Sequence, residues 1–231
     1  MARILWGTGR SFEMVGVILV LLLFILAGIQ AVIIEEPLRT LWCAISIILT
    51  LIPFVFEWRY QVHFPLGMKV LIPFGLLLHV GGGITRWYWT VPFFDKFAHI
   101  ISSMALGLIL FSVYLFCDYF EYARKKPILK KRIRVFKDQE TDVLAGVGVM
   151  LVIFGLAWEL AEYGIDFVYH TTYNFGLFDS VTDFAGDIIG LILVLWIIHR
   201  SISRIPEGEH LDYLLTHDAG SNTPVMDPSR V

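Results

Sequence analysis

The chain has 231 residues, of which 57% are hydrophobic and 17% are charged, and its mean hydropathy is +0.70. This composition excludes an ordinary soluble globular domain and indicates a protein whose solvent is largely lipid. The net charge of −3 gives no reason to expect a nucleic-acid partner, and the two cysteines lack the spacing of a disulfide framework or a thiolate metal site.

Six apolar runs in the sequence approach the length of about 20 residues that a helix needs to cross a bilayer. We therefore predict an all-α fold, a polytopic transmembrane helix bundle. The predicted spans lie near residues 14–34, 41–56, 70–83, 97–117, 143–163 and 181–198. They form one transmembrane domain over residues 1–205, and we expect the polar remainder, 206–231, to be a flexible cytoplasmic tail.

Basic residues predict the orientation of these spans. The connection between the fourth and fifth spans, residues 124–137, contains eight of the 18 lysines and arginines. The positive-inside rule makes this connection cytoplasmic, and an even number of spans then places both termini on the cytoplasmic side. We predict a multi-pass protein of the plasma membrane with membrane lipid as its surroundings.

Seven acidic residues and one histidine interrupt the apolar pattern at the predicted outer ends of the last three spans. The interruptions are Asp95 and His99 in the fourth span, Glu159, Glu162 and Asp166 in the fifth, and Asp179, Asp183 and Asp187 in the sixth. Within each span their spacing of three, four or seven residues predicts one shared helix face. We expect these faces to point into the bundle, because a charge near the bilayer centre costs about 2.5–3.5 kcal/mol.

Histidine together with carboxylates is a common ligand set for zinc, manganese or iron. We therefore predict a divalent metal ion as a cofactor. Its candidate ligands are Asp95, His99, Asp183 and Asp187, with His79 a weaker candidate. A hydrogen-bonded core histidine is the alternative for His99. Glu159 and Glu162 are candidate catalytic residues, since a buried carboxylate is suited to act as a general base.

Four other charged residues have more ordinary interpretations. Asp179 is as well explained by capping of the sixth helix as by chemistry, and Asp166 by a solvated loop. For Lys96 and Arg86 we expect snorkelling toward the interface, with counter-ion or lipid-phosphate contacts as the alternative.

Three motifs run in order through residues 93–195. They are Asp95-Lys96-x-x-His99, Trp158-Glu159-x-x-Glu162 and Asp183-x-x-x-Asp187-x-x-Gly190. They resemble the motifs of the YjdF-type uncharacterised inner-membrane proteins and, less closely, those of the VanZ-like membrane proteins. The VanZ-like pattern usually has Gln where this sequence has Glu162, and Asn where it has Asp187. The resemblance implies a membrane bundle and no established reaction.

The sequence leaves three functions open. The first is a metal-dependent enzyme that acts on a lipid headgroup at the outer leaflet, and the second is a non-catalytic scaffold or ion-binding protein. An ion-coupled transporter ranks below both, because no internal repeat is visible and residues 188–198 continue inward without a polar side chain.

Overall fold

The structure is a computed structural model that describes residues 2–60, 64, 67–124, 140–170 and 174–203. Most of the basic connection and the whole of the predicted tail lie outside the described residues. The predictions made for them therefore stay predictions.

The described chain is entirely helical apart from turns, with no strand in these ranges. Its elements are α1 (Ala2–Ile33), α2 (Pro37–Tyr60), α3 (Met68–Thr85), α4 (Trp87–Thr90), α5 (Phe94–Arg124), α6 (Glu140–Tyr169) and α7 (Leu177–Ile202). All except α4 are long and apolar enough to cross a membrane, which confirms the all-α fold and the six predicted spans. The helices extend several residues beyond the apolar runs, because those runs mark only the part of a helix suited to hydrocarbon.

Helix α5 lies at the centre of the C-terminal half, where it packs against α3, α6 and α7. Helices α5 and α7 run parallel, and glycines on α7 bring their backbones together. A methyl group added to Gly190 would lie 2.5 Å from the carbonyl oxygen of Ile100, and one added to Gly186 would lie 3.0 Å from that of Lys96. Small residues at this spacing are how membrane helices approach closely.

The apolar core lies between α5, α6 and α7, at the end of these helices away from the polar residues Asp95, Glu159 and Asp183. Phe111 and Leu115 of α5 pack with Val147 of α6 and with Val194 and Ile198 of α7, all of them almost fully buried. Large apolar side chains on α1 and α2 remain exposed instead, as expected for surfaces that face lipid. We call the end of the bundle where α3 and α6 finish and α5 and α7 begin the site end.

At the opposite end, three charged residues join α1, α2 and α3. The ammonium of Lys69 lies 3.2 Å from Glu13 and 2.9 Å from Glu57. Glu13 also accepts a hydrogen bond from the backbone of Gly67, and Glu57 accepts one from the backbone of Phe64. We call this group the Glu13–Lys69–Glu57 clasp; the sequence did not lead us to predict it.

A candidate metal centre beside an open pocket

The site is built from two helices that begin together and carry polar residues at the same interval. On α5, Asp95, His99 and Ser103 follow one another every four residues; on α7, the same interval separates Asp179, Asp183 and Asp187. Because the two helices are parallel, these two rows of side chains face each other over the same length. Asp183 is completely buried, and His99 and Asp187 nearly so.

Lys96 is the cation at the centre of this arrangement. Its ammonium lies 2.8 Å from Oδ1 of Asp183 and 3.3 Å from Oδ2 of Asp95, and it donates a hydrogen bond to Asp179. These contacts are the counter-ion contacts that we gave as the alternative to snorkelling of Lys96. The reason is that α7 brings Asp179 and Asp183, on successive turns, within reach of a flexible side chain that already has Asp95 next to it on α5.

Asp179 does not occupy the N-cap of α7, which is Gly176 and has no side-chain hydrogen bond at the cap. Asp179 instead lies in the first turn, where it pairs with Lys96 and accepts a hydrogen bond of 3.0 Å from the backbone N–H of Phe175. Its negative charge still complements the positive end of the helix dipole.

Asp187 orients His99. Its Oδ1 lies 3.2 Å from Nδ1 of His99 and accepts a hydrogen bond of 2.7 Å from Ser103. Gly155 of α6 makes room for this carboxylate, since a methyl group there would lie 2.8 Å from Oδ2 of Asp187. A carboxylate on one ring nitrogen is the usual partner of a histidine whose other nitrogen binds a metal.

The other ring nitrogen of His99 faces a possible cation position. Ligand atoms of Asp95, His99 and Asp183 all lie within 4.8 Å of one another. Nε2 of His99 is buried and has no hydrogen-bond partner in the described part of the chain, and neither has Oδ2 of Asp183. One imidazole and two carboxylates fit zinc, manganese or iron by donor type. Asp187, a predicted ligand, lies outside this group and contacts the other ring nitrogen of His99, Nδ1.

Helix α6 contributes the two glutamates. Glu159 is buried; its Oε2 receives a hydrogen bond of 3.4 Å from the side chain of Asn174, while Oε1 has no hydrogen-bond partner within the described ranges. Glu162 is half-buried and accepts a hydrogen bond of 2.9 Å from the indole of Trp158. The two glutamates therefore differ, because only Glu159 presents an unsatisfied buried oxygen.

Asn174, just before α7, connects Asp166 of α6 to Ser180 of α7, and sequence reasoning missed it. Its backbone N–H donates to Asp166 at 2.8 Å, and its side-chain NH₂ donates to Ser180 at 2.6 Å. Asp166 thus accepts a hydrogen bond from the residue that leads into the start of α7. No sequence signal marks Asn174, since an asparagine in a loop is unremarkable by itself.

His79 and Arg86 take no part in the cation position. Nε2 of His79 lies 2.8 Å from the hydroxyl of Ser102, and Nδ1 lies 2.7 Å from that of Tyr88, so both ring nitrogens are engaged. Arg86 is exposed, and the structure gives it no ion pair with any residue it describes.

An open pocket of about 360 Å³ lies beside the centre, between α4, the start of α5 and the start of α7. We call it the α4–α7 pocket. Its walls are mainly aromatic, and its polar lining includes Asp95, Lys96, Asp179 and Thr182. Asp95 and Lys96 belong both to the pocket and to the cluster behind it, so a molecule in the pocket would touch the charged groups directly.

Comparison with protein families agrees with a membrane protein. Residues 13–204 match a family model described as "Predicted membrane protein (DUF2238)", a description that gives a membrane location and no activity. No curated protein matches the chain, and no solved structure matches it. Since the matched range covers most of the sequence, the chain belongs to the DUF2238 family of predicted membrane proteins.

Proposed function

We propose that this protein binds a divalent metal ion at Asp95, His99 and Asp183 and acts on the polar headgroup of a membrane lipid. The observation that carries the proposal is a pair of buried ligand atoms without a hydrogen bond in the described ranges, His99 Nε2 and Asp183 Oδ2, in a group whose ligand atoms lie within 4.8 Å. The nearest carboxylate oxygen to His99 Nε2 in this group is Oδ1 of Asp95, at 3.7 Å. A buried polar atom without a partner costs about 1–3 kcal/mol, and a bound cation would remove that cost.

The proposed chemistry assigns a role to each part of the site. A divalent ion held by Asp95, His99 and Asp183 would supply a positive charge able to polarise a phosphoryl oxygen of a headgroup in the α4–α7 pocket, which Asp95 and Lys96 line. Asp187 holds His99 in place, and Glu159, with its unsatisfied oxygen, is the candidate general base. Glu162 is the weaker candidate because the indole of Trp158 already donates to it.

The proposal places this site at the outer leaflet of the plasma membrane. Its support is the excess of lysine and arginine in residues 124–137, which favours a cytoplasmic location for the opposite end of the bundle. We also propose that the chain is related to the YjdF-type and VanZ-like proteins, on the resemblance of its three motifs.

Metal analysis of the detergent-purified full-length chain tests the metal site. Wild type, Asp183→Asn and a control, Asp142→Asn, are dialysed against a weak chelator and analysed for bound elements. Asp142 is exposed and lies at the other end of α6, so its variant controls for loss of one carboxylate. We expect a stoichiometric divalent metal in wild type and control, and its loss in Asp183→Asn.

Two results would contradict the metal centre: no metal in the wild type, or equal metal in wild type and Asp183→Asn. Thermal unfolding of each sample shows whether Asp183→Asn still folds. A folded Asp183→Asn variant is required for the comparison, and Asp95→Asn provides a second ligand change if it does not fold.

A non-catalytic scaffold is the second candidate, and Lys96 favours it. Its ammonium already contacts Asp95, Asp179 and Asp183, so part of the acidic charge is neutralised within the protein. For a scaffold, Asp183→Asn lowers thermal stability while neither protein retains metal.

A further inference from the structure

The α4–α7 pocket has an acidic floor. Lys96 is the one cation among its lining residues, against Asp95 and Asp179, and Asp183 contacts the same ammonium from behind. With all four groups ionised and no metal ion bound, three carboxylates and one ammonium leave a net charge of −2. Because all three carboxylates surround the ammonium, little positive field remains to attract an anion from the pocket.

The pocket walls also suit a cation. Tyr88, Trp89, Phe94, Phe175 and Phe178 contribute aromatic rings to the lining. The face of an aromatic ring attracts ammonium groups, and combining such rings with a carboxylate is a common way to recognise an organic cation.

The rim of the pocket is apolar and open. Phe93 and Phe178 both lie there, with 82% and 83% of their surface exposed. Aromatic side chains exposed at the end of a membrane bundle are typical of the bilayer interface. We therefore expect a ligand at this place to have lipid, not only water, beside it.

We propose that the α4–α7 pocket binds the ammonium group of a zwitterionic phospholipid, phosphatidylethanolamine, with Asp179 and the aromatic walls as its recognition elements. This names the substrate class of the proposed headgroup site and so rests on the proposed function. The proposal assigns the ammonium of the headgroup to Asp179 and its phosphate to the side of Asp95 and the cation position.

Competitive lipid retention tests the proposal. The detergent-purified full-length chain is incubated with equal amounts of phosphatidylethanolamine and phosphatidylglycerol of matched acyl chains, with a chelator present, and the retained lipid is measured by native mass spectrometry. We expect phosphatidylethanolamine to be retained about tenfold over phosphatidylglycerol. Asp179→Asn should abolish this preference, while Asp142→Asn should keep it.

Phe178→Ala provides a variant that leaves the charged groups intact. Because Phe178 is exposed, its removal should not prevent folding, and losing one cation–π contact should reduce the preference about threefold to fivefold. An Asp179→Asn variant that fails to fold therefore leaves the proposal testable.

Three results would overturn the proposal: equal retention of the two lipids by the wild type, an unchanged preference in both Asp179→Asn and Phe178→Ala, or displacement of the lipid by free ethanolamine at equal concentration. The last would assign the pocket to a soluble amine. Because the assay excludes metal, it fails or succeeds independently of the elemental analysis that tests the metal centre.

Discussion

Replacing Gly190 by alanine probes the contact that brings α5 and α7 together. The added methyl carbon would lie 2.5 Å from the carbonyl oxygen of Ile100 and 2.8 Å from Cβ of Ser103. Neither atom is the end of a flexible side chain, so the clash is relieved only by moving one helix away from the other. The change therefore tests whether close backbone approach holds the site-bearing helices in place.

The magnitude follows from two opposing effects. Forcing an extra methyl group into a well-packed contact costs about 1–3 kcal/mol, occasionally more. Alanine is favoured over glycine within a helix by up to about 1 kcal/mol, which offsets part of that cost. We expect Gly190→Ala to lower the free energy of unfolding by about 1–2 kcal/mol, or the melting temperature by roughly 2–8 °C for a chain of this size.

Thermal unfolding in detergent measures this effect, with Gly148→Ala as the matched control. Gly148 faces the same helix α7 from α6, but a methyl group there would make ordinary contacts of 3.7 Å and 3.8 Å with Leu195 and Leu191. The control should be neutral or slightly stabilising. If Gly190→Ala melts at the same temperature as Gly148→Ala, the close α5–α7 approach is not a source of stability and the reasoning fails.

Two further substitutions test other parts of the bundle by the same thermal assay. Lys69→Met removes the cation shared by Glu13 and Glu57 and leaves two largely buried carboxylates without it, so we expect a loss of about 3–5 kcal/mol. His79→Phe removes two hydrogen bonds and should cost about 1–3 kcal/mol, while metal content stays unchanged because both nitrogens of His79 already have partners.

Each of these has its own control. Arg39→Gln breaks the more exposed ion pair between Arg39 and Glu36 and should change stability by no more than about 1 kcal/mol. If Lys69→Met lowers stability no more than Arg39→Gln does, the Glu13–Lys69–Glu57 clasp contributes little to the stability of the protein. His99→Gln is compared with His79→Phe, and loss of metal from the latter would show that the cation position has been assigned to the wrong histidine.

The six spans were predictable because their signal is local. Each helix carries its own apolar run, and in membranes the backbone must satisfy its hydrogen bonds within the helix. The inward direction of Asp183 and Asp187 was predictable for a similar reason, since four-residue spacing places both on one helix face.

The partners of those residues depend on tertiary contacts. The sequence places Asp187 and His99 at one end of the bundle, but it does not show that Asp187 contacts the back of the imidazole while Asp183 lies toward the cation position. The distinction depends on the relative rotation of α5 and α7, which Gly186 and Gly190 determine through backbone contact.

The Glu13–Lys69–Glu57 clasp was missed because its members are far apart in the chain and look like ordinary charges flanking membrane spans. Glu13 bonds to the backbone of Gly67, which lies 54 residues later. Only the folded arrangement of α1, α2 and α3 shows that Lys69 is buried and shared.

The order of the charged residues along the chain has a consequence for biosynthesis. Lys96 and His99 are made before Asp183 and Asp187, and Asp95 accompanies Lys96 from the start as a neighbouring partner. As helices enter the membrane in order of synthesis, the basic groups of α5 are present when the aspartates of α7 arrive. Because α7 would be costly to insert by itself, we expect it to pair with these basic groups of α5 as it enters the membrane.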